Sequence, residues 1–233
     1  MRRTTSHELL DDDRGTPEEI QQSLDDLWRI NRWLGGVSSS VKLLEHFFDR
    51  TGPHPVRILD VGAGDARLAE RLRSELLRRN IQAQFFVLDR RLTHLWNGRP
   101  SLAGVGPVVA DVLALPFPDQ SFEVVMCNLL FHHFSGPMAQ EFLHRLAAVS
   151  SEAVLINDLE RHALPYLFIR CAYPFARSRI TRHDGPASVR QAYTYGELRS
   201  LVREAGFSDF DLERLPLFRL GLTLWKEPPK AKK

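Results

Sequence analysis

The stretch Val56-Arg57-Ile58-Leu59-Asp60-Val61-Gly62-Ala63-Gly64-Asp65-Ala66 decides the fold. A short apolar run ends in an acid and turns on glycines, and Arg67-Leu68-Ala69-Glu70-Arg71-Leu72-Arg73 opens a helix behind it. A strand that delivers its end into a Gly-x-Gly turn at a helix N-terminus lets a ligand approach bare backbone. The free N–H groups there favour a polar or anionic group, as in a nucleotide-type cofactor site. A dinucleotide fingerprint needs a third glycine three residues after Gly64, where this chain has the long, charged Arg67. A P-loop needs Gly-Lys-Ser/Thr at the end of the loop, and that sequence is missing too.

Further along, Gln84-Phe85-Phe86-Val87-Leu88-Asp89 is a second apolar strand ending in an acid, placed to accept from both hydroxyls of a ribose diol. Asp89 has an alternative reading as the cap of the helix that follows. A third strand precedes Asp111, and a fourth, about 122–128, ends at Asn128. Strands are read at about 56–60, 84–88, 107–110, 122–128 and 152–158, and helices at about 66–79, 92–96, 138–148 and 194–205. Continuous apolar strands alternating with helices predict an α/β, Rossmann-like, doubly wound and mainly parallel sheet with helices on both faces. Two further strands are read at 207–214 and 217–225 after Gly206. Ligands of such sheets sit outside the carboxyl ends of the strands, where Asp60, Asp89, Asp111 and Asn128 all fall.

Ahead of the sheet, Thr16-Pro17-Glu18-Glu19 reads as an N-cap, a first-turn proline and a capping-box glutamate. Ile20, Leu24, Leu27 and Leu34 recur at helical spacing, Gly35-Gly36 supplies a stop, and a second helix is read from Ser39 to Arg50. Thr194 and Glu197 form a second capping box.

The order Asp-x-Gly-x-Gly-x-Ala, from Asp60 to Ala66, resembles the first motif of class I S-adenosylmethionine (SAM) methyltransferases, with Ala66 in place of the usual last glycine. Asp111-Val112-Leu113-Ala114-Leu115-Pro116-Phe117, followed by Ser121-Phe122-Glu123-Val124-Val125, resembles the ubiquinone/menaquinone-type members, with Glu123 in place of an aspartate. The resemblance is good over about 56–160 and looser in the flanks. It implies seven strands with the last inserted antiparallel, and SAM as cofactor. Gly62, Ala63 and Gly64 would approach the methionyl part. Asp60 would organise the turn or bridge to the donor's amino group, and Asp89 would hold the ribose. Asp111 would accept from the adenine amino group and the Val112 N–H would meet a ring nitrogen. Arg90 either flanks the adenine or is solvated.

Cys127-Asn128-Leu129-Leu130-Phe131-His132-His133-Phe134 resembles the family's segment beneath the cofactor, which makes Asn128 a ligand of the donor's amino group. His132 and His133 are candidates for a general base toward an acceptor hydroxyl, against an alternative of packing under the loop. No metal is expected, because adjacent side chains point in different directions. Asn157 and Asp158 close an apolar strand at the ligand edge, so contact with acceptor is expected there, and Asp158 joins the catalytic candidates. The insertion 163–192 carries Tyr166, Phe168, Arg170, Tyr173, Phe175, Arg177, Arg179, Arg182 and His183. Such a cover suits a planar or acidic small molecule, or else it is a lid helix with solvated arginines. Arg182-His183-Asp184-Gly185-Pro186 and Ser188-Val189-Arg190 resemble runs of bacterial small-molecule methyltransferases, some suspected to act on polyketides.

The 233 residues fit one catalytic domain at 53–225, a helical extension and lid at 1–52, and a disordered tail at 226–233. The 43% hydrophobic and 26% charged composition is globular, and a net charge of +2 argues against nucleic acid. Two cysteines, Cys127 and Cys171, and a polar N-terminus lead us to expect a reducing, cytoplasmic setting without a signal segment. The apolar run from Val124 to Phe131 is too short to span a membrane. The expected activity is methyl transfer to an oxygen or carbon of a phenolic, quinone-like or polyketide small molecule, with the oligomeric state left open. Two alternatives stand beside it. One is a catalytically silent SAM-binding partner or sensor. The other is a dinucleotide-dependent oxidoreductase, which Arg67 and the 111–117 stretch disfavour.

Overall fold

The computed structural model describes residues 1–97, 102, 104–172 and 176–226. Its strands are β1 (Val56–Val61), β2 (Ala83–Asp89), β3 (Val105–Val109), β4 (Phe122–Asn128), β5 (Ser150–Leu159), β6 (Phe210–Leu215) and β7 (Arg219–Trp225). They form one sheet in the order β3-β2-β1-β4-β5-β7-β6, with β7 antiparallel to both neighbours and the other pairs parallel. This is the expected seven-stranded, mainly parallel sheet with its last strand inserted antiparallel.

The helices are α1 (Pro17–Trp33), α2 (Gly36–Thr51), α3 (Arg67–Arg78), α4 (Leu92–Asn97), α5 (Pro137–Val149), α6 (Ala163–Ala172), α7 (Arg179–Gln191) and α8 (Tyr195–Glu204). Strand residues alternate between two cores because successive side chains point to opposite faces. Ile58, Phe85, Val87, Val124 and Leu155 pack with Leu43 and Phe47 of α2 and Leu72 of α3. Leu59, Val61, Val125, Val154 and Ile156 pack with Phe142 and Leu146 of α5 and Leu198 of α8 on the other face. Each such buried Leu, Ile or Phe contributes about 1.5–3 kcal/mol. Strand order reverses between β1 and β4, so the crossovers leave on opposite faces and a crevice opens at the carboxyl ends.

Both predicted capping boxes form, at Thr16 with Glu19 and at Thr194 with Glu197. Gly35 and Gly36 do more than stop α1. Gly35 adopts φ +79° and α2 starts at Gly36, three residues before the expected Ser39. A Cβ on Gly36 would lie 1.9 Å from Asn31 Oδ1, so the two helices meet too closely for a side chain there. Arg219, only 1% exposed, locks this corner by donating to Leu34 O and Asn31 Oδ1.

The insertion after β5 folds as α6 and α7, and α7 packs against α1. Arg179 pairs with Glu19, and Arg182 donates to Ala176 O. Tyr173, Phe175 and the tail beyond Lys226 lie outside the described residues. The N-terminal residues run back over the carboxyl edge as a strap. Leu9 N and Leu10 N donate to the Asp184 carboxylate at 2.9 and 3.0 Å, and Arg3 donates to His132 O and Phe134 O. Among the described residues both cysteines are free, Cys127 buried and Cys171 exposed, and no helix is long and apolar enough to cross a membrane.

Candidate active site

A cavity of about 940 Å3 opens along the carboxyl ends of β1, β2 and β4. That is near the upper end of the range for small-molecule sites, which leaves room for a nucleoside and a second ligand. Asp60, Gly62, Ala63, Gly64, Asp89, Arg90, Asp111, Val112 and Asn128 all line it, as do His132 and His133.

The glycine turn owes its shape to positive φ at Gly62 (+69°) and Gly64 (+56°). A Cβ on Gly62 would come within 2.6 Å of Leu130 Cδ2. Ala66 holds a left-handed conformation at φ +61°, where the related motif has glycine, and caps α3. Asp89 ties the turn to β2. Its carboxylate accepts from Gly64 N and from Arg91 N, both at 2.8 Å. Arg91 lies just before α4, His94 Nδ1 stands 3.4 Å from the Oδ1 that accepts from Arg91 N, and the carboxylate, with about four acceptor sites, keeps capacity for a further donor. Asp111 caps the short turn Val112–Ala114 through Leu113 N at 2.8 Å and is otherwise exposed.

Asp60 brings an unsatisfied oxygen to the cavity wall. It is 2% exposed, and its Oδ2 has no hydrogen-bond partner. Burial, with a smaller contribution from Asp89, pushes its pKa up to about 7. Asn128 Oδ1 accepts from Asn157 Nδ2 at 2.8 Å. Arg90 is exposed, lies at the cavity rim and donates to Asp11 O at 2.9 Å, which fastens the strap.

Asn157 and Asp158 do not reach the cavity wall. Asn157 is 1% exposed and donates to Gly36 O and Ser40 Oγ, so it joins β5 to α2. Asp158 stands behind His132, accepting from its backbone N at 2.9 Å and meeting Nδ1 at 2.8 Å. The polar end of β5 thus lies in the interior, because α2 and the His132 turn cover it. Burial opposes a charge on His132, but Asp158 and Glu8 outweigh it and raise its pKa to about 10. The expectation that adjacent histidines diverge fails here. The 3-10 turn Phe131–His133 brings the two rings to a centroid separation of 4.3 Å at 32°.

Two acids of the strap were not legible as site residues. Glu8, 8% exposed, faces His132 Nε2 at 3.5 Å and His133 Nε2 at 3.8 Å. Asp11 meets His133 Nδ1 at 3.1 Å. In sequence the run His7 to Asp13 has the composition of a solvated terminus, and the only local signal against that is Leu9-Leu10 inside it. The far wall is apolar, formed by Leu27, Ile30, Leu34, Leu167, Phe168 and Phe218. None of Arg177, Arg179, Arg182 and His183 lines the cavity, so the basic residues of the insertion do not face its contents.

Residues 58–152 match the family model described as a methyltransferase domain. The plantazolicin methyltransferase BpumL, in a complex with S-adenosylhomocysteine (SAH) and a desmethyl plantazolicin analogue, shares the fold at a TM-score of 0.65 and 14% identity, over 89% of this chain and 95% of that one. The chain is 29% identical over 152 residues to the mitochondrial arginine-hydroxylase NDUFAF5 of Danio rerio, covering 64% of this chain and 44% of that protein. It is 37% identical over 99 residues to a malonyl-[acyl-carrier protein] O-methyltransferase of Halorhodospira halophila, covering 41% of this chain and 32% of that protein. The chain thus spans less than half the length of these two curated relatives. Residues 58–152 thus match a methyltransferase domain, and the chain as a whole shares the fold of a methyltransferase solved with SAH.

Proposed function

We propose that this chain transfers the methyl group of SAM to a hydroxyl or a carbon of an apolar small molecule of phenolic, quinone-like or polyketide type. One observation carries the reading: a single cavity is lined both by the strand-end acids with the glycine turn and by an apolar wall from α1, α6 and the turn before β7. The residues at the acidic end fit SAM. The orphaned Oδ2 of buried Asp60 suits an ammonium group, and Asp89 retains acceptor capacity toward a ribose diol. Gly62, Ala63 and Gly64 present backbone to the methionyl part, with Asn128 beside it. Asp111 and Val112 face the adenine edge, flanked by Arg90.

When bound, SAM supplies a methyl group already activated on a sulfonium, so the chain contributes mainly position and exclusion of water. The strap and α1 close the cavity from above, with Leu24 3.7 Å from where a Cβ of Gly64 would stand. An acceptor hydroxyl must lose its proton. His133, backed by Asp11, is the group at the wall that would take it. His132, held through Nδ1 by Asp158, orients that turn, and Asp158 acts through it as a positioning residue.

The test is transfer of label from methyl-labelled SAM to a panel of phenols, quinols and polyketide-type enols. Label in an organic-extractable product, with SAH formed in equal amount, supports the proposal. Label in no small molecule, or only in added protein or RNA, overturns it.

A further inference from the structure

We propose that Glu8, His132 and His133 bind one divalent transition-metal ion, Zn2+ being the best match, at the acceptor end of the cavity. The three side chains offer two imidazole nitrogens and one carboxylate oxygen, all within 4.8 Å of one another. Two Nε2 atoms converge on one carboxylate, at 3.5 Å from Oε1 and 3.8 Å from Oε2. Ligands about 2.0–2.1 Å from a tetrahedral ion stand about 3.3 Å apart, so the three side chains, now within 4.8 Å of one another, must draw together by up to about 1.5 Å to complete the site.

The surroundings are those of a metal-bound histidine pair. Each ring turns its Nδ1 to a carboxylate, His132 to Asp158 at 2.8 Å and His133 to Asp11 at 3.1 Å, which leaves both Nε2 atoms for the ion. Glu8 is oriented in turn, since its Oε1 accepts from Ser188 Oγ at 2.7 Å and Gln191 Nε2 at 2.9 Å. A separate observation points to a missing partner. His132 Nε2 is buried in a residue only 3% exposed, lines the cavity, and makes no regular hydrogen bond, with Glu8 Oε1 standing off at 3.5 Å. All three ligand residues line the cavity, so the ion's fourth position opens toward the acceptor.

Three protein ligands with an open position make a Lewis-acid site. With the ion bound, His133 is a ligand rather than the base, and an acceptor oxygen on the ion would lose its proton more readily to solvent; that role rests on the methyl-transfer reading, whereas the binding of the ion does not. The site would also make the strap part of the active site, since Glu8 is its only ligand from outside the His132–His133 turn.

Chelator-treated, untagged full-length chain titrated with Co2+ tests this by the visible absorption of a low-coordinate cobalt centre. The expected result is one equivalent bound per chain and displaced by Zn2+. Affinity should fall at least hundredfold in Glu8→Gln and His133→Ala and by about 10–100-fold in Asp11→Asn, as expected for a second-shell carboxylate. SAH binding, measured on every variant, shows that each is folded. A wild-type chain that binds SAH but takes up no Co2+ at millimolar concentration overturns the site, as does equal Co2+ uptake by Glu8→Gln and His133→Ala. Methyl transfer that proceeds unchanged in chelator, with no Co2+ uptake, removes the metal and leaves the methyltransferase. Stoichiometric Co2+ uptake by a chain that methylates nothing keeps the metal site and removes the other reading.

Discussion

The two ends of the cavity are built differently. The cofactor end comes from consecutive strand ends: Asp60 closes β1, Asp89 closes β2, Asp111 follows β3 and Asn128 closes β4. Each is fixed by sheet register and backbone hydrogen bonds, so its direction follows from strand geometry. The acceptor end draws Glu8 and Asp11 from the strap, Leu27 and Ile30 from α1, Phe168 from α6 and Phe218 from the turn before β7. Those segments are held by side-chain contacts between distant parts of the chain, such as Glu19 with Arg179 and Asp184 with Leu9 and Leu10. A rigid end thus faces an assembled one, and the two ends should respond to substitution independently.

The largest effect is expected at the rigid end. Asp89→Ala removes charge-assisted acceptors toward the ribose and frees Gly64 N, at a cost of about 3 kcal/mol, which is a loss of SAH affinity of about a hundredfold or more by calorimetry. An affinity within threefold of wild type would break the comparison at its firmest point. At the assembled end, removing residues 1–13 should lower kcat/KM for acceptor on the order of thirtyfold through lost positioning, while SAH affinity changes less than about threefold. Loss of SAH binding to the same degree would show that the two ends are one unit.

A smaller effect, with a distinctive pH signature, is expected at Asp60. Its carboxyl is raised to about 7 from 3.8, so in the cofactor-free chain the folded state holds a proton that the unfolded state has released between those values. Stability from this group is fullest below about pH 4 and falls as pH rises through 7. Asp60→Asn should therefore flatten that fall, raising Tm at pH 8 by thermal melts, while SAH affinity drops about tenfold for want of a charged partner to its ammonium. In the wild type, SAH should bind more tightly as pH rises through 7, and the variant should lose that slope.

The same contrast explains what could be read from sequence. The strand-end acids were legible because period-two burial and strand–turn–helix order fix where they point, and all eleven cavity-lining site residues but the two histidines lie on or next to a strand end or the glycine turn. The helical insertion was harder to read. Gly185 and Pro186 fall inside α7, a combination that locally signals a break, yet tertiary contacts through Ile180, Asp184 and Val189 keep the helix intact. Glu8 was hidden for another reason. An acid near a chain end looks solvated until Ser188 and Gln191, both in α7, are seen to receive it. The closeness of His132 and His133 depends on a 3-10 turn that residue spacing alone does not specify.

The central claim, that the strand-end acids and glycine turn form a SAM cradle, is tested most directly by calorimetric titration of the wild-type chain at pH 8 with SAH, and with NAD+ as the control. The account predicts one SAH bound per chain with micromolar affinity and no heat with NAD+. A folded chain that takes up no SAH, or that binds NAD+ in its place, would contradict it.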